Sequence, residues 1–263
     1  MALSESEGTA PGREPAWSGD ASPPDLPLRQ AWRDLPELKL NVRRLAQARI
    51  VSATRQDPTH IAIDMLRTRL MDAIQKNGWK TLGITSPGAR CGKTTLAINL
   101  AFSLSQQSDF RTGLLDLDLR RPAIGRLLRC EQPGDIEAYL RGYRDMAQSL
   151  VRHRHNLAIA TNAVPVPGAA ELLVECMHGE VIAQMRQALD LDLLIYDLPP
   201  MLLADDALAV LPGIDAMLLV AAAGETRLSE IDACERELSQ HDKFAGLVLN
   251  KCRYIPNGYG YRG

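Results

Sequence analysis

The stretch Ser86-Pro-Gly-Ala-Arg-Cys-Gly-Lys-Thr-Thr95 decides the fold. It follows an apolar run at residues 79–86, which predicts a buried strand. It precedes the sequence TTLAINLAFSLS at residues 94–105, which predicts an amphipathic helix. In a glycine-containing loop between a strand and a helix, the backbone N–H groups point inward and bind phosphate oxygens together with the helix N-terminus. The sequence therefore predicts a phosphate-binding loop of the P-loop type.

Individual residues of this loop have expected roles. Gly92 keeps the backbone close to the phosphates, Lys93 reaches the β- and γ-phosphates, and Thr94 binds Mg²⁺. Pro87 stands where such loops usually carry their first glycine, and the glycine is displaced to position 88. The residues expected to contact the nucleotide in this loop are Gly88, Ala89, Arg90, Cys91, Gly92, Lys93, Thr94 and Thr95.

The composition of the 263 residues is that of a globular protein, with 46% apolar and 24% charged residues. The net charge of −2 gives no electrostatic reason to expect a nucleic-acid partner. The five cysteines lack the spacing of metal ligands, which favours reduced thiols over a zinc site or a disulfide framework. The N-terminus does not read as a secretory signal, and the longest apolar run, residues 216–223, is too short to cross a bilayer. We therefore expect a cytoplasmic protein.

Apolar strands and helical segments alternate from residue 58 onward, and the strands are apolar throughout. This pattern predicts an α/β fold, with a doubly wound, mainly parallel sheet covered by helices on both faces. The predicted strands lie at 79–86, 111–117, 156–160, 191–197, 216–222 and 245–250. The predicted helices lie at 59–76, 94–105, 169–188 and 226–240, with short helices over 122–151.

Three regions are expected along the chain. Residues 1–41 contain no Ile, Val, Phe, Tyr or Cys and carry six prolines, so we expect a disordered N-terminal arm. Trp17, Trp32 and the leucines of residues 35–40 leave a short docking segment as the alternative. Residues 42–252 are expected to form the nucleotide-binding domain, and residues 253–263 a flexible tail.

Acidic side chains follow two of the predicted strands. Asp116 and Asp118 are two residues apart, so both point to one side of the chain, and Asp197 ends the strand LDLLIYD. In open α/β sheets, ligands bind at the carboxyl ends of the strands, and Mg²⁺ prefers carboxylate and hydroxyl oxygens. The sequence therefore predicts that these three acids and Thr94 hold Mg²⁺. The alternative is that Asp116 caps a helix and that Asp197 is a turn residue.

At these motifs the chain resembles bacterial tyrosine kinases of the exopolysaccharide and capsule type. The resemblance covers about residues 58–263 and rests on the P-loop, on LLDLDLRRP at 114–122 and on YDLPP at 196–200. It implies that Asp116 and Asp118 serve Mg²⁺ and activation of the attacking hydroxyl, and that Asp197 positions metal or water. It also implies that Asn250 lies near the adenine of ATP.

The last ten residues contain three of the six tyrosines, Tyr254, Tyr259 and Tyr261. The resemblance implies that these are autophosphorylation sites presented to the active site of a neighbouring copy. It further implies that a membrane-embedded polysaccharide co-polymerase, or chain-length regulator, recruits the protein to the inner face of the cell membrane and activates it through a cytoplasmic segment.

One helix departs from the family pattern. Members commonly carry Glu and Arg there for ring-shaped oligomerisation, but here Ile61 and Asp64 stand at those positions, and only Arg67 matches. A homo-oligomer therefore remains an expectation whose usual signature is altered.

Other functions stay open from the sequence. An ATPase of the ParA/MinD type shares the fold, but the extra lysine of its P-loop is absent from residues 87–92. A GTPase would need an acid two residues after Lys251, where Arg253 stands. A non-catalytic, nucleotide-gated regulator of polysaccharide assembly would keep Lys93 and the acids for binding alone. The basic run at residues 153–155 is expected to be solvated surface.

Overall fold

A seven-stranded sheet organises the residues that the structure, a computed structural model, describes: 25–130, 134–178 and 180–252. The strands are β1 (Thr81–Thr85), β2 (Thr112–Asp116), β3 (Leu150–His153), β4 (Leu157–Ala160), β5 (Leu193–Asp197), β6 (Ala216–Ala222) and β7 (Phe244–Asn250). Their order across the sheet is β3-β4-β2-β5-β1-β6-β7. Every neighbouring pair is parallel except β3 and β4, which run antiparallel at one edge.

Helices cover both faces of this sheet. They are α1 (Asp25–Asp34), α2 (Val42–Gln47), α3 (His60–Asn77), α4 (Lys93–Leu104), α5 (Ile124–Leu128), α6 (Ile136–Leu140), α7 (Met146–Ser149), α8 (Ala169–His178), α9 (Val181–Ala188), α10 (Asp206–Ala209) and α11 (Leu228–Gln240). Successive strand residues enter opposite apolar clusters: Leu114 packs with α3 and α4, whereas Leu115 packs with α8 and α9. This alternation follows from the pleat of a strand buried on both faces and confirms the predicted doubly wound α/β architecture.

Three details of the predicted helices and strands differ from the structure. The strand β3 was not expected, because its four residues Leu-Val-Arg-His are too short and too polar to be separated from the preceding short helices by pattern alone. The helix expected over residues 169–188 is two helices, α8 and α9. The amphipathic helix expected after the P-loop is buried on nearly all sides, because α3 and the sheet enclose α4.

The N-terminal arm is the largest correction, because residues 25–41 are folded against the domain. The indole Nε1 of Trp32 donates to the carbonyl oxygen of Leu189 at 3.1 Å, and Leu35 is fully buried. Residues 36–38 then run beside β3, where the backbone N–H of Leu38 donates to the carbonyl of Arg152 at 2.8 Å. The docking-segment alternative describes this stretch better than disorder does. Residues 1–24, with Trp17, and the tail at 253–263 lie outside the described residues.

Asn99, in the middle of α4, fastens the next part of this segment to the P-loop helix. Its Oδ1 accepts the backbone N–H groups of Val51 and Ser52 at 2.8 and 2.9 Å, and its Nδ2 donates to the carbonyl of Arg49 at 2.9 Å. A buried amide with partners on both atoms is a stabilising contact rather than a burial cost. Residues 49–52 are therefore held against the P-loop helix, as residues 32–38, which precede the predicted boundary at residue 42, are held against other parts of the domain.

Candidate active site

The loop between β1 and α4 has the backbone conformation that a P-loop requires. Gly92 has φ +92°, and a Cβ built there would lie 2.2 Å from the Nδ2 atom of Asn250, so only glycine fits. Gly88 has open space around it and a negative φ, so neither sterics nor backbone conformation requires glycine there. Its carbonyl oxygen accepts hydrogen bonds from the Ser86 hydroxyl at 2.7 Å and from the Cys91 thiol at 3.3 Å. These contacts shape the loop where Pro87 replaces the usual first glycine.

The other loop residues line the mouth of this turn. Ala89 and Arg90 are exposed, and Arg90 takes a positive φ of 64°. Thr94 and Thr95 are half-buried in the first turn of α4, where helical N–H groups have no partner within the helix. The first turn of α4 therefore offers donors for an anion, as the sequence predicts.

Lys93 is held by two carboxylates. Its side chain is largely buried, and its Nζ lies 2.8 Å from Asp118 Oδ2 and 3.2 Å from Asp197 Oδ1. Burial acts to lower the pKa of Lys93, but the charges of Asp197 and Asp118 outweigh it and raise the pKa. The lysine is therefore protonated. Three residues predicted from the sequence, Lys93 of α4, Asp118 after β2 and Asp197 at the end of β5, thus lie in one cluster.

Asp116 faces Asp197 across the β2–β5 pair, where the two are register partners. Its Oδ2 accepts the backbone N–H groups of Ala123 and Ile124, both at 2.9 Å, so the residue does cap the start of α5. Its Oδ1 is buried without a hydrogen-bond partner among the described residues. Burial and the nearby charge of Asp197 raise the pKa of Asp116 well above its ordinary value. The helix-cap alternative thus accounts for one of its two oxygens only.

Asp197 is fully buried and carries the second unpaired oxygen, because its Oδ2 has no described partner. Burial raises its pKa, the charge of Asp118 adds to this, and Lys93 and the Thr94 hydroxyl oppose it. Unpaired buried carboxylate oxygens are costly unless a cation binds them. With a threonine hydroxyl beside them, they form a hard-oxygen donor set that fits Mg²⁺. Within the described ranges, no three His, Cys, Asp or Glu side chains form a metal cluster by themselves.

Asn250 ends β7 and touches the P-loop directly. Its side-chain amide donates to the carbonyl oxygen of Cys91 at 2.9 Å, and Lys251 pairs with Glu225 at 2.9 Å. The position near the adenine is not tested by this contact, but the residue does lie at the phosphate-binding loop. Tyr254, Tyr259 and Tyr261 follow within a few residues and lie outside the described residues.

In α3, the helix whose oligomerisation signature is altered, Asp64 and Arg67 contact the P-loop helix α4. On α3, Asp64 accepts the Ser103 hydroxyl of α4 at 2.5 Å and pairs with Arg55 at 2.8 Å, while Arg67 donates to the Ser103 carbonyl at 3.1 Å. Burial acts to raise the pKa of Asp64, but these hydrogen bonds and the positive charges of Arg55 and Arg67 outweigh burial and lower the pKa. Asp64 and Arg67 therefore bind α3 to the P-loop helix, and Ile61 is the exposed member of the three.

One ion pair near the acids was not predicted. Arg120 of the LLDLDLRRP motif donates through Nε to Asp206 Oδ2 at 2.6 Å and lies 3.6 Å from Asp205. The motif and the Asp-Asp pair are both visible in the sequence, but nothing in their spacing indicates that they meet. The pair links the loop after β2 to α10.

No helix among the described residues is both long enough and apolar enough to cross a bilayer.

Comparisons with known proteins agree with this geometry. The family model described as "ParA: NUBPL iron-transfer P-loop NTPase" matches residues 80–255. The tyrosine-protein kinase CpsD of Streptococcus pneumoniae serotype 4 is 30% identical over 184 residues, which are 69% of this chain and 80% of CpsD. The kinase domain of the Escherichia coli tyrosine kinase ETK superposes with a TM-score of 0.68 at 27% identity, covering 81% of this chain and 84% of that domain.

A more distant structure supports the fold alone. The septum site-determining protein MinD of Pyrococcus horikoshii, solved with Mg-ADP, superposes with a TM-score of 0.54 at 18% identity and covers 65% of this chain. The fold is thus that of ParA- and MinD-like P-loop NTPases, which use nucleotide and Mg²⁺. Within that class, 30% identity to CpsD over more than two thirds of this chain, together with the superposition on the ETK kinase domain, shows that the chain belongs to the bacterial tyrosine kinase family.

Proposed function

We propose that the protein transfers the γ-phosphoryl group of ATP to tyrosine hydroxyls, and that it thereby regulates exopolysaccharide or capsule polymerisation and export. The observation that carries the proposal is the buried cluster at the head of the P-loop. There, Lys93 lies between Asp118 and Asp197, and Asp116 and Asp197 each hold one oxygen without a partner among the described residues. Such a cluster is compensated best by a ligand that brings both phosphates and a divalent cation.

The residues would divide the chemistry among them. Lys93 and the N–H groups of the loop stabilise negative charge on the phosphates. Thr94, Asp116, Asp118 and Asp197 would hold Mg²⁺, which when bound neutralises charge on the phosphate oxygens. A tyrosine hydroxyl attacks the γ-phosphorus: the new O–P bond forms as the bond to ADP breaks, and the phenolic proton passes to a carboxylate.

Asp118 is the better choice for that carboxylate. Asp116 is fully buried within β2, whereas Asp118 lies beyond the end of that strand. Its Oδ1 accepts the backbone N–H of Arg121 at 3.2 Å, and its Oδ2 pairs with Lys93. When phosphates attract Lys93 away, Oδ2 is left to orient an incoming hydroxyl.

We infer that ATP is preferred over GTP. Guanine recognition of the usual kind needs an acid two residues after the lysine of Asn250-Lys251, and Arg253 stands there. Asn250 is engaged with the loop carbonyl of Cys91 and Lys251 with Glu225. The position from which that motif presents a carboxylate to the guanine N–H groups is therefore taken by an arginine.

We further propose that the first acceptors are Tyr254, Tyr259 and Tyr261, phosphorylated by a neighbouring copy of the chain. A membrane-embedded polysaccharide co-polymerase or chain-length regulator would bring the protein to the inner face of the membrane and activate it through a cytoplasmic segment. Both statements rest on family membership and on the tyrosine spacing of the tail.

A nucleotide-gated regulator without phosphotransfer is the second candidate. The ion pairs of Lys93 favour it, because nucleotide binding must break them and would release Asp118 and Asp197 together. Such an exchange changes the site even if no phosphoryl group moves.

One experiment separates the two. The purified protein is incubated with Mg-ATP, with and without the cytoplasmic segment of a co-polymerase partner, and phosphotyrosine is mapped by mass spectrometry. Lys93→Met serves as the inactive variant, and Lys80→Met as the matched control, because the Lys80 side chain is exposed before β1. Phosphotyrosine in wild type and Lys80→Met alone supports the kinase. ATP binding with no phosphotyrosine under either condition supports the regulator.

A further inference from the structure

A second charged cavity lies at the opposite end of the sheet from the P-loop. It has a volume of about 400 Å³. Arg111 stands directly before β2 and Arg154 directly after β3, so the cavity opens where β2 and β4 begin rather than where the parallel strands end. Arg33 comes from the end of α1 and Arg152 from β3. Four arginines from three separate parts of the chain thus line one cavity.

Two of these arginines already have carboxylate partners. Arg111 pairs with Asp190, and Arg152 lies 3.5 Å from Glu37. A third carboxylate nearby, Asp192, accepts the backbone N–H of Arg111 at 2.8 Å and does not line the cavity. These pairs hold the walls in place and leave part of the positive charge uncompensated.

The other two arginines supply that charge. Among the residues that the structure describes, Arg154 donates to neutral acceptors alone, the Ser105 carbonyl at 3.4 Å and the Gln106 side chain at 3.1 Å. Arg33 is exposed and forms no ion pair with the residues that the structure describes. In addition, Nε of Arg152 is buried without a described hydrogen-bond partner. The cavity therefore has unused donors as well as unused charge.

Leu28, Trp32 and His155 complete the lining. The indole N–H of Trp32 is already used by the Leu189 carbonyl, and His155 Nε2 lies 3.2 Å from the carbonyl oxygen of Ser108. A volume of this size accepts a small molecule, and guanidinium groups bind carboxylate or phosphate through two parallel hydrogen bonds.

We propose that this cavity binds a small oxyanion, a phosphate or carboxylate group attached to a ring-sized body that packs on Leu28 and Trp32. Such a ligand would bridge α1 to the edge formed by β2 and β3. It would stabilise the docked position of residues 25–41. The proposal is independent of phosphotransfer, because none of these residues belongs to the nucleotide site.

The test measures binding of two probes to the full-length protein by titration calorimetry. The probes, glucose 1-phosphate and glucuronic acid, share a ring and differ in the source of the oxyanion. Saturating Mg-ADP is present throughout, so that the P-loop is occupied. Arg33→Gln/Arg154→Gln removes the two uncompensated charges without touching the paired Arg111 and Arg152. Arg43→Gln is the matched control, because Arg43 is exposed on α2 and does not line the cavity.

We expect millimolar or tighter binding of at least one probe, weakened at least about tenfold in the double variant and unchanged in Arg43→Gln. Preference between the probes then identifies phosphate or carboxylate as the recognised group. Circular dichroism checks that the double variant is folded, and its Mg-ATP reaction should equal that of wild type. Absence of binding by both probes, or equal binding by the double variant, would overturn the proposal.

Discussion

The two ends of the sheet carry side-chain charges of opposite sign, and they differ in how far those charges are buried. At the carboxyl ends of the strands, one lysine and three aspartates cluster, and fully buried Asp116 and Asp197 each have one oxygen with no partner in the described part of the chain. At the other end, arginines gather in a cavity where Arg111 keeps a third of its side chain exposed and has a carboxylate partner. Burial makes uncompensated charge expensive, whereas water screens exposed charge. The first end must therefore be neutralised by what it binds, and the second need not be.

Lys93→Met at the acidic end of the sheet is expected to have the largest effect. The change removes the one cation among the buried acids and the group that stabilises phosphoryl charge, so ATP turnover should fall by roughly 10²–10³-fold or more. Turnover is measured by ADP release with Lys80→Met as the control. The far-ultraviolet spectrum should be unchanged, because the lysine faces the acids and not the apolar core. Turnover equal to wild type would contradict the assignment of the loop.

Substitution of the acids should have the next largest effect. Asp118→Asn leaves the cluster geometry intact but removes the proposed proton acceptor, and phosphoryl transfer should fall by roughly 10²-fold. Asp109→Asn, on an exposed turn, is the matched control. Initial rates are compared over a Mg²⁺ titration. Unchanged rates and an unchanged Mg²⁺ midpoint in Asp118→Asn would reduce this acid to a partner of Lys93.

Substitutions in the tail test whether the active site phosphorylates the tyrosines of residues 253–263. Replacing Tyr254, Tyr259 and Tyr261 with Phe should remove most phosphotyrosine but keep ATP binding, because Phe preserves the ring and lacks only the acceptor oxygen. Tyr143→Phe is the control, since Tyr143 is 78% exposed and lies on a different loop. Peptide mass spectrometry provides the measurement. Undiminished phosphotyrosine in the triple variant would exclude the tail as the main substrate.

The raised pKa of Asp116 predicts a pH dependence of stability. A carboxyl group whose folded pKa lies above its unfolded pKa ionises first in the unfolded chain, so its contribution to stability falls as pH rises from about 4 to the raised folded value. Asp116→Asn keeps one oxygen for the α5 N–H groups and cannot ionise. The variant should therefore melt above wild type at neutral pH and converge with it below about pH 4.

Differential scanning fluorimetry across that range, without nucleotide or Mg²⁺, checks this prediction. Asp109→Asn again serves as the control. A neutral-pH melting temperature of Asp116→Asn below that of wild type would show that the charged form is stabilised in the folded protein.

The smallest expected effect concerns the other end of the molecule. Trp32→Phe keeps most of the buried ring but removes the hydrogen bond to Leu189, and it should lower the free energy of unfolding by about 1 kcal/mol. Urea denaturation measures it, with Trp79→Phe as the control at a half-buried indole. A loss no larger than in the control would mean that the N-terminal segment is held by other contacts.

The parts of the fold that the sequence predicts are those with a local signal. The strand, loop and helix around Gly92 are contiguous, and Asp116 and Asp197 are found because parallel strands end at one edge. The network of Asp64, Ser103 and Arg67 had no comparable signal, since its members look like a defective version of a known motif until the side chains are seen to face α4.

The prediction of disorder was wrong for residues 25–41 because it rested on composition. A composition argument averages over residues 1–41, whereas docking depends on a few apolar side chains with distant partners. The basic run at 153–155 was expected to be solvated, and Arg154 and His155 are exposed, but His153 is half-buried and packs edge-on against Phe102 with ring centroids 4.9 Å apart. Burial, with a smaller contribution from Arg154, lowers the pKa of His153 to about 4. The arginine cavity could not be predicted, because its residues are scattered from position 33 to position 154.

The hydrogen bond of Trp32 also bears on how the chain is made. Its acceptor, Leu189, lies 157 residues further along. At a synthesis rate of roughly 5–20 residues per second, the tryptophan is joined to the chain roughly 8–30 s before its partner. Trp32 can therefore make this contact only after α9 has been synthesised, whereas β5, β6 and β7 are added to the chain later still.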